Sequence, residues 1–480
     1  MLKFDTSIYV RAALIGAALL CVRLISKDFA SGTTTAQHPY ILFVAALILA
    51  GCIWVSLIPL IKRAPAVKNS KQLLLIIFAI GLGFRALFFG STPIYEDDWN
   101  RYLWDGYVAT QGVNPYLYAP DDILAAPANA QNNLSKQDDL SKLSALSREN
   151  DNFASRINSG EYTTIYPPIA VAVFAGGALI GPLNLDVLRV LFWLSEALTL
   201  FLMVKALTAF GRSPLWMTLY ALNPLVIYAG INAAHMDVLL LPFLLACLIM
   251  IKTRPFIAAA ALSCAAAVKI WPLLLAPVLF RSWLGRPKIY IAAAVMVAGL
   301  SLLLLLPLLL ALGDASGTSA YAASWQRSTY LFPLIDQAIG TLTGHWSTPA
   351  RLTIAAACIG LSLWLGFKPL LTRRNNGTLM RALPLHLLLL TLIFFLLSPT
   401  GFPWYLIWVC AFFPFAPYYS VAALTVLLPI YYLRYAIGEQ YDYLLYTDWL
   451  VPLQFSIPIG LLLLELSRGY WKDTYDTARS

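Results

Sequence analysis

Residues 40–61 read YILFVAALILAGCIWVSLIPLI, 22 positions without a charge. A helix rises 1.5 Å per residue, so about 20 such residues cross a bilayer. A second apolar run, Ile8 to Ile25, lies just before it and carries only Arg11 and Arg23 as charges. Alone, that first run would pass for a cleaved leader. It lacks a small-residue cleavage site and another span follows, so the two read as a retained helical hairpin.

Outward from this hairpin the same signal recurs to the end of the chain. Further spans are expected near 72–90, 187–206, 214–231, 236–251, 256–269, 270–283, 289–311, 351–371, 382–399, 403–417, 419–436 and 450–466. Hydrophobic residues make up 60% of the 480, charged residues 12%, and mean hydropathy is +0.71. The usual charged share is about 25%. These values exclude an ordinary soluble domain and predict an all-α polytopic membrane protein with about 14 transmembrane spans. The stretch 256–283 is short and interrupted by Pro272 and Pro277, so it reads as two short helices or a re-entrant dip.

The net charge of +9 is a topology signal. Lys and Arg collect in short loops: Lys62, Arg63, Lys68 and Lys71; Lys205 and Arg212; Lys252 and Arg254; Arg281, Arg286 and Lys288. Lys368, Arg373, Arg374 and Arg381 follow, then Arg468, Lys472 and Arg479. With a cytoplasmic N-terminus all of these fall on one side, which places the chain in the inner (cytoplasmic) membrane, both termini cytoplasmic. Basicity distributed this way excludes a nucleic-acid partner. The six cysteines all sit in apolar runs without paired spacing and read as packing residues. Four scattered histidines argue against a multi-His metal site.

Two segments break the rhythm, after the third and ninth spans, and both fall on the extracytoplasmic face. The first, within 90–186, is dense in aromatics and acids up to Tyr118, then polar and solvated over 125–161. Tyr166-Pro167-Pro168 opens a modest apolar stretch to Pro182, expected to be a juxtamembrane or partly inserted helix. The second, 312–350, is rich in Gly, Ser and Thr around Trp325, Arg327 and His345. Three regions follow: an N-terminal hairpin with its basic loop (1–71), a core carrying the first external loop (72–310), and the second external loop with the C-terminal helices (311–480).

The sharpest local feature is Tyr95-Glu96-Asp97-Asp98-Trp99-Asn100-Arg101-Tyr102-Leu103-Trp104-Asp105-Gly106, just beyond the third span. Consecutive acids repel one another at a membrane surface and need a reason. In a helix, Asp98, Arg101, Tyr102 and Asp105 share one face. A solvated helix end with interfacial aromatics explains the rings but not the acids. Gly112-Val113-Asn114-Pro115-Tyr116 is a turn signature. His235 and Asp237 join two adjacent spans, Lys269 ends a short span and Arg434 ends the penultimate one. Ionisable groups at membrane depth line a cavity, unless a long Lys or Arg merely snorkels to lipid phosphate. Glu196, deep in the fourth span, is expected to pair internally. A carboxylate can take a proton from an attacking hydroxyl, and cations stabilise a departing phosphate. Neither a Walker loop nor a Rossmann fingerprint is present.

These residues resemble the membrane glycosyltransferases of the GT-C superfamily, most nearly the polyprenyl-phosphate-mannose-dependent α-mannosyltransferases of glycosyltransferase family 87. The resemblance rests on Asp98-x-x-Arg101-Tyr102-x-Trp104-Asp105-Gly106, Gly-x-Asn114-Pro115-Tyr116 and Tyr166-Pro167-Pro168. It continues through Asn223-Pro224, His235-x-Asp237, Lys269 before Trp271-Pro272, and Pro399 with Pro403-Trp404-Tyr405. It implies a GT-C-type helical bundle, a polyprenyl-phosphate sugar donor, a glycolipid or glycan acceptor, and single displacement with inversion. Asp98 would be the general base, with Asp97 as the alternative. Lys269, Arg327 or Arg434 would neutralise the leaving phosphate. Glu96, Arg101, Tyr102, Trp104, Asp105, Asn114, Tyr116, Tyr166, His235, Asp237, Trp325, Trp404 and Tyr405 would line the substrate site. No cofactor is implied, and a divalent cation held by Asp97, Asp98, His235 and Asp237 stays open. The hairpin 1–61, the polar segment 125–161 and Trp325-Gln326-Arg327-Ser328 depart from the family pattern. The competing reading is a transporter of lipid-linked sugars, favoured by short Pro-broken spans but not by any internal repeat.

Overall fold

A computed structural model describes residues 2–30, 38–63, 71–126, 135–313, 316–372, 382–437 and 445–468. Lys68, Arg373, Arg374, Arg381, Lys472 and Arg479 lie outside the described residues, as does 127–134 of the polar segment. Among the described residues every regular element is a helix, apart from one isolated bridge between Arg327 and Thr400.

The helices that place the site are α1 (Leu2–Ile25), α2 (Tyr40–Lys62), α3 (Lys71–Ala86), α4 (Asp98–Thr110), α5 (Ser135–Glu149), α6 (Pro168–Ile180) and α7 (Leu185–Ala209). After them come α8 (Pro214–Ala221), α9 (Pro224–Asn232), α10 (Met236–Met250), α11 (Pro255–Val268) and α12 (Pro287–Leu310). The chain closes with α13 (Leu331–Thr343), α14 (Thr348–Thr372), α15 (Leu383–Leu397), α16 (Tyr419–Ile437) and α17 (Tyr446–Ser467).

Among the described residues seven helices are long and apolar enough to cross a membrane: α1, α2, α7, α12, α14, α16 and α17. The pair α8–α9 makes an eighth if taken as one span bent by 57°. α6, α10, α11 and α15 are apolar but shorter. The protein is therefore an all-α, multi-pass membrane protein. The stretch expected at 270–283 is a string of short turns, Trp271–Leu275, Ala276–Phe280 and Arg281–Trp283, as its prolines require.

Each break has a local cause. Asn223 turns its side-chain oxygen back to the N–H groups of Leu225 and Val226 (3.0 and 3.1 Å), and Pro224 follows in the first helical position. α9 then ends in a π turn over Tyr228–Asn232 with Ala234 in the left-handed region, φ +54°. α6 begins at Pro168 and packs against α4, whose Gly106 leaves room for the Phe174 backbone where a Cβ would collide. The polar segment is not simply solvated. α5 lies inside it, buries Leu143 and packs over Phe153 and Ile123.

One ion pair is buried among α3, α7 and α8. Arg85 Nε donates to Glu196 at 2.5 Å, Tyr220 OH donates to the other carboxylate oxygen at 2.5 Å, and both charged side chains are about 1% exposed or less. Glu196 thus pairs internally. Replacing it strands the Arg85 cation, so Glu196→Ala should cost about 3–5 kcal/mol of stability. Thermal unfolding in detergent, compared with the milder Glu196→Gln, measures this.

Candidate active site

The acid triplet is placed by a backbone clasp. Ser91 to Ile94 enters beside the broken end of α9, where carbonyls lack helical partners. Arg189, one turn into α7, donates to Ile231 O (2.9 Å), Asn232 O (2.8 Å) and Ser91 O (2.8 Å), so one guanidinium joins both segments. The Asn232 side chain completes the clasp, donating to Ser91 Oγ and Thr92 O at 2.9 Å and accepting from Ile94 N at 3.1 Å. Tyr228 OH donates to Ile94 O at 2.7 Å. Four residues later α4 begins with Asp98 at its N-terminus, where the helix dipole favours a carboxylate.

Asp98 faces a vestibule shared with groups from the middle and the end of the sequence. Its carboxylate lies 3.8 Å from His235 Nδ1, while Glu96 lies 3.7 Å from His235 Nε2. These are contacts, not hydrogen bonds. The imidazole is fully buried and stacks on Trp404 (4.0 Å, 9°), which stacks on Phe402 (4.3 Å, 9°). Two residues on, Asp237 accepts from Lys269 Nζ at 2.6 Å and Trp408 Nε1 at 2.5 Å. The Lys269 ammonium sits over the rings of Tyr405 and Trp408, 4.3 and 4.8 Å from their centroids, with 23% of its side chain exposed. Tyr405 OH is hydrogen-bonded to Tyr321 OH at 2.8 Å.

The carboxyl groups are tuned apart. Burial, then Asp97, push Asp98 up to about 6, with Lys269 and Asn158 opposing. This occurs although 29% of the side chain reaches solvent. Glu96 is raised well above the usual range by burial and then by Asp98 and Asp97, with Tyr432 and Arg434 opposing. His235 is lowered by burial and by Lys269. Both shifts favour the neutral forms of His235 and Glu96.

The structure thus brings Glu96, Asp98, His235, Asp237, Lys269, Trp404 and Tyr405 together. The Arg434 charge opposes the rise at Glu96, and its guanidinium rests on Tyr431, Tyr435 and Tyr446. Asp97 accepts from Asn158 at 2.6 Å. Other expected residues brace this arrangement. Arg101 is turned from the vestibule and donates to Tyr162 O and Ser159 O at 3.0 Å and Asn158 O at 3.3 Å. Asp105 balances Arg101, its own carboxyl pushed up to about 6 by burial. Tyr102 packs between Phe174 and Tyr166, and Trp104 stacks on Phe153. Asn114 caps the Tyr116 N–H (3.0 Å), and Tyr116 OH donates to Tyr166 O (2.7 Å). Trp325 packs near Tyr162 and Tyr321. Arg327 is exposed, its backbone bridging Pro399 O and Gly401 N.

Sequence reasoning did not single out Arg189, Asn158, Tyr321 or Trp408 for the site. Arg189 carried a usable signal, a cation one turn into an apolar helix. Asn158 lay in a segment read as solvated, and Trp408 in an apolar run.

Residues 161–285 match the model of a family described as alpha-(1->6)-mannopyranosyltransferase, N-terminal domain. The match takes in Tyr166, His235, Asp237 and Lys269 but not the acid triplet, and it does not single out glycosyltransferase family 87. It is consistent with a GT-C mannosyltransferase and supports glycosyltransferase, specifically mannosyltransferase, activity. No curated protein and no solved structure matches.

Asn232→Ala would strand the Ile94 N–H and free the Ser91–Thr92 turn. A loss of about 2 kcal/mol is expected. Faster amide exchange at Ile94, with α12 unchanged, would show that the clasp opens locally.

Proposed function

We propose that this chain transfers mannose from a polyprenyl-phosphate donor to a hydroxyl of a glycolipid or glycan, at the extracytoplasmic face of the cytoplasmic membrane. One observation carries this reading. A partly exposed carboxylate, Asp98, opens a helix beside a buried histidine and within electrostatic reach of Lys269. The family match over 161–285 supports the sugar.

In this mechanism the acceptor hydroxyl attacks the anomeric carbon as Asp98 takes its proton. The bond to the lipid phosphate breaks on the opposite face, and configuration inverts. A base with its proton affinity raised toward neutrality is better matched to this task than an ordinary aspartate. Lys269 has three N–H donors and gives one to Asp237, leaving two for the departing phosphate. Arg327, exposed beside the Pro399–Gly401 turn, is the second candidate for that role.

The test is purified protein in bilayer with radiolabelled polyprenyl-phosphate mannose and a membrane glycolipid extract. Asp98→Asn should lower kcat by a factor of about 10²–10⁴, the range ascribed to a general base. Normal transfer by that variant at normal expression would rule the mechanism out. Because the base works ionised, transfer should fall as pH drops through about 6 and level off above it. Sugar-lipid exchange across proteoliposomes without any new glycosidic bond would favour a transporter.

A further inference from the structure

Tyr95 immediately precedes the acids and has φ +60°, a left-handed turn that non-glycine residues seldom adopt. Its ring is held on both faces. Tyr40 stacks at 4.7 Å and 12°, and Tyr435 at 4.5 Å and 8°. Phe29 meets it edge-on at 5.0 Å and 85°, and its hydroxyl is hydrogen-bonded to His38 Nδ1. Such centroid distances lie at the close end of favourable aromatic packing. Phe29, His38 and Tyr40 all come from the N-terminal hairpin, and Tyr435 from the last turn of α16.

The location matters because the chain is fixed on either side. Ile94 is pinned by Asn232 and Tyr228, and Asp98 starts α4. Between them run Tyr95, Glu96 and Asp97, whose path depends on the turn at Tyr95. A relaxed, right-handed Tyr95 would redirect the backbone entering Glu96 and with it the 3.7 Å approach to His235.

We propose that Tyr95 is a positioning residue: sandwiched by Tyr40 and Tyr435, it fixes the turn that aims Glu96 and Asp98 into the vestibule, making the N-terminal hairpin a working part of the site. Its kinetic consequence rests on the mannosyl-transfer reading above, but its structural consequence does not.

Tyr95→Phe keeps the sandwich and loses the hydroxyl that bonds His38. Tyr95→Gly permits the turn but removes the ring, and Tyr40→Ala removes the hairpin's wall. Each is compared with wild type in bilayer, using polyprenyl-phosphate mannose as donor, after thermal unfolding shows that it is folded. Tyr95→Gly and Tyr40→Ala should each lower kcat at least about tenfold, change donor KM less than about threefold, and shift the pH midpoint from about 6. Tyr95→Phe should retain kcat within about threefold. Wild-type kcat and midpoint in Tyr40→Ala overturn the proposal, as does Tyr95→Phe damage equal to that of Tyr95→Gly. If the chain transfers no mannose, amide exchange over Glu96–Asn100 decides alone. Acceleration in Tyr40→Ala with α7 unchanged supports the proposal, and unchanged exchange overturns it.

Discussion

A polypeptide in a low-dielectric surrounding has to find a partner for every backbone N–H and C=O it does not place inside a helix. That constraint shapes the centre of this protein. α9 stops short of a full span, freeing the carbonyls of Ile231 and Asn232, and the Ser91–Ile94 segment arrives with polar groups of its own. Arg189 satisfies three of the carbonyls at once, the Asn232 side chain serves Thr92 O and Ile94 N–H, and Tyr228 OH serves Ile94 O. Two irregular segments, each costly alone, become a joint. The acid triplet and His235 both hang from it, a few residues away on either strand.

Glu196, Asp237, Glu96 and Asp98 fall into two kinds. Glu196 and Asp237 each accept two donors at 2.5–2.6 Å, so their charge is met by a cation and a ring donor. Glu96 and Asp98 instead approach His235 at 3.7 and 3.8 Å, too far for a hydrogen bond. Both carboxyls are raised above the usual carboxylate range, with burial the first cause in each. A fully satisfied acid is a structural part. One left short of partners and open to the vestibule keeps its capacity to react. The contrast separates Asp98 from Asp237, although both lie in the same cluster.

Much of this was legible in the sequence because it rests on local signals. Hydropathy marks the long helices, Pro272 and Pro277 mark the interruption of 256–283, and an acid triplet next to a span is conspicuous. The 57° bend at Pro224, by contrast, lies inside a stretch that reads as one span, 214–231. What stayed hidden depends on distant neighbours. Arg101 shares a helical face with Asp98, yet its guanidinium finds the carbonyls of 158–162, which no spacing rule announces. Asn158 sits in a stretch whose composition suggests solvent, but its partner is Asp97. Trp408 is an unremarkable aromatic in an apolar run until its indole N–H reaches Asp237. Hydropathy also counts a span wherever apolar residues accumulate, while 270–283 spends them on short turns.

The partners of the acid triplet are far along the chain, and this has a consequence for biogenesis. Arg189 bonds Ser91 across 98 residues, Asn232 reaches Thr92 across 140, and Trp408 meets Asp237 across another 171. Chains are made from the N-terminus, and their early parts fold first. The loop bearing Asp98 is therefore synthesised long before the pieces that orient it exist. It must wait, unfixed, while α7 and α9 are inserted, and the aromatic wall around Trp404 closes last. A chain cut short after Asp237 would carry the acids of the site and still lack the groups from Lys269 and Trp408 that orient them.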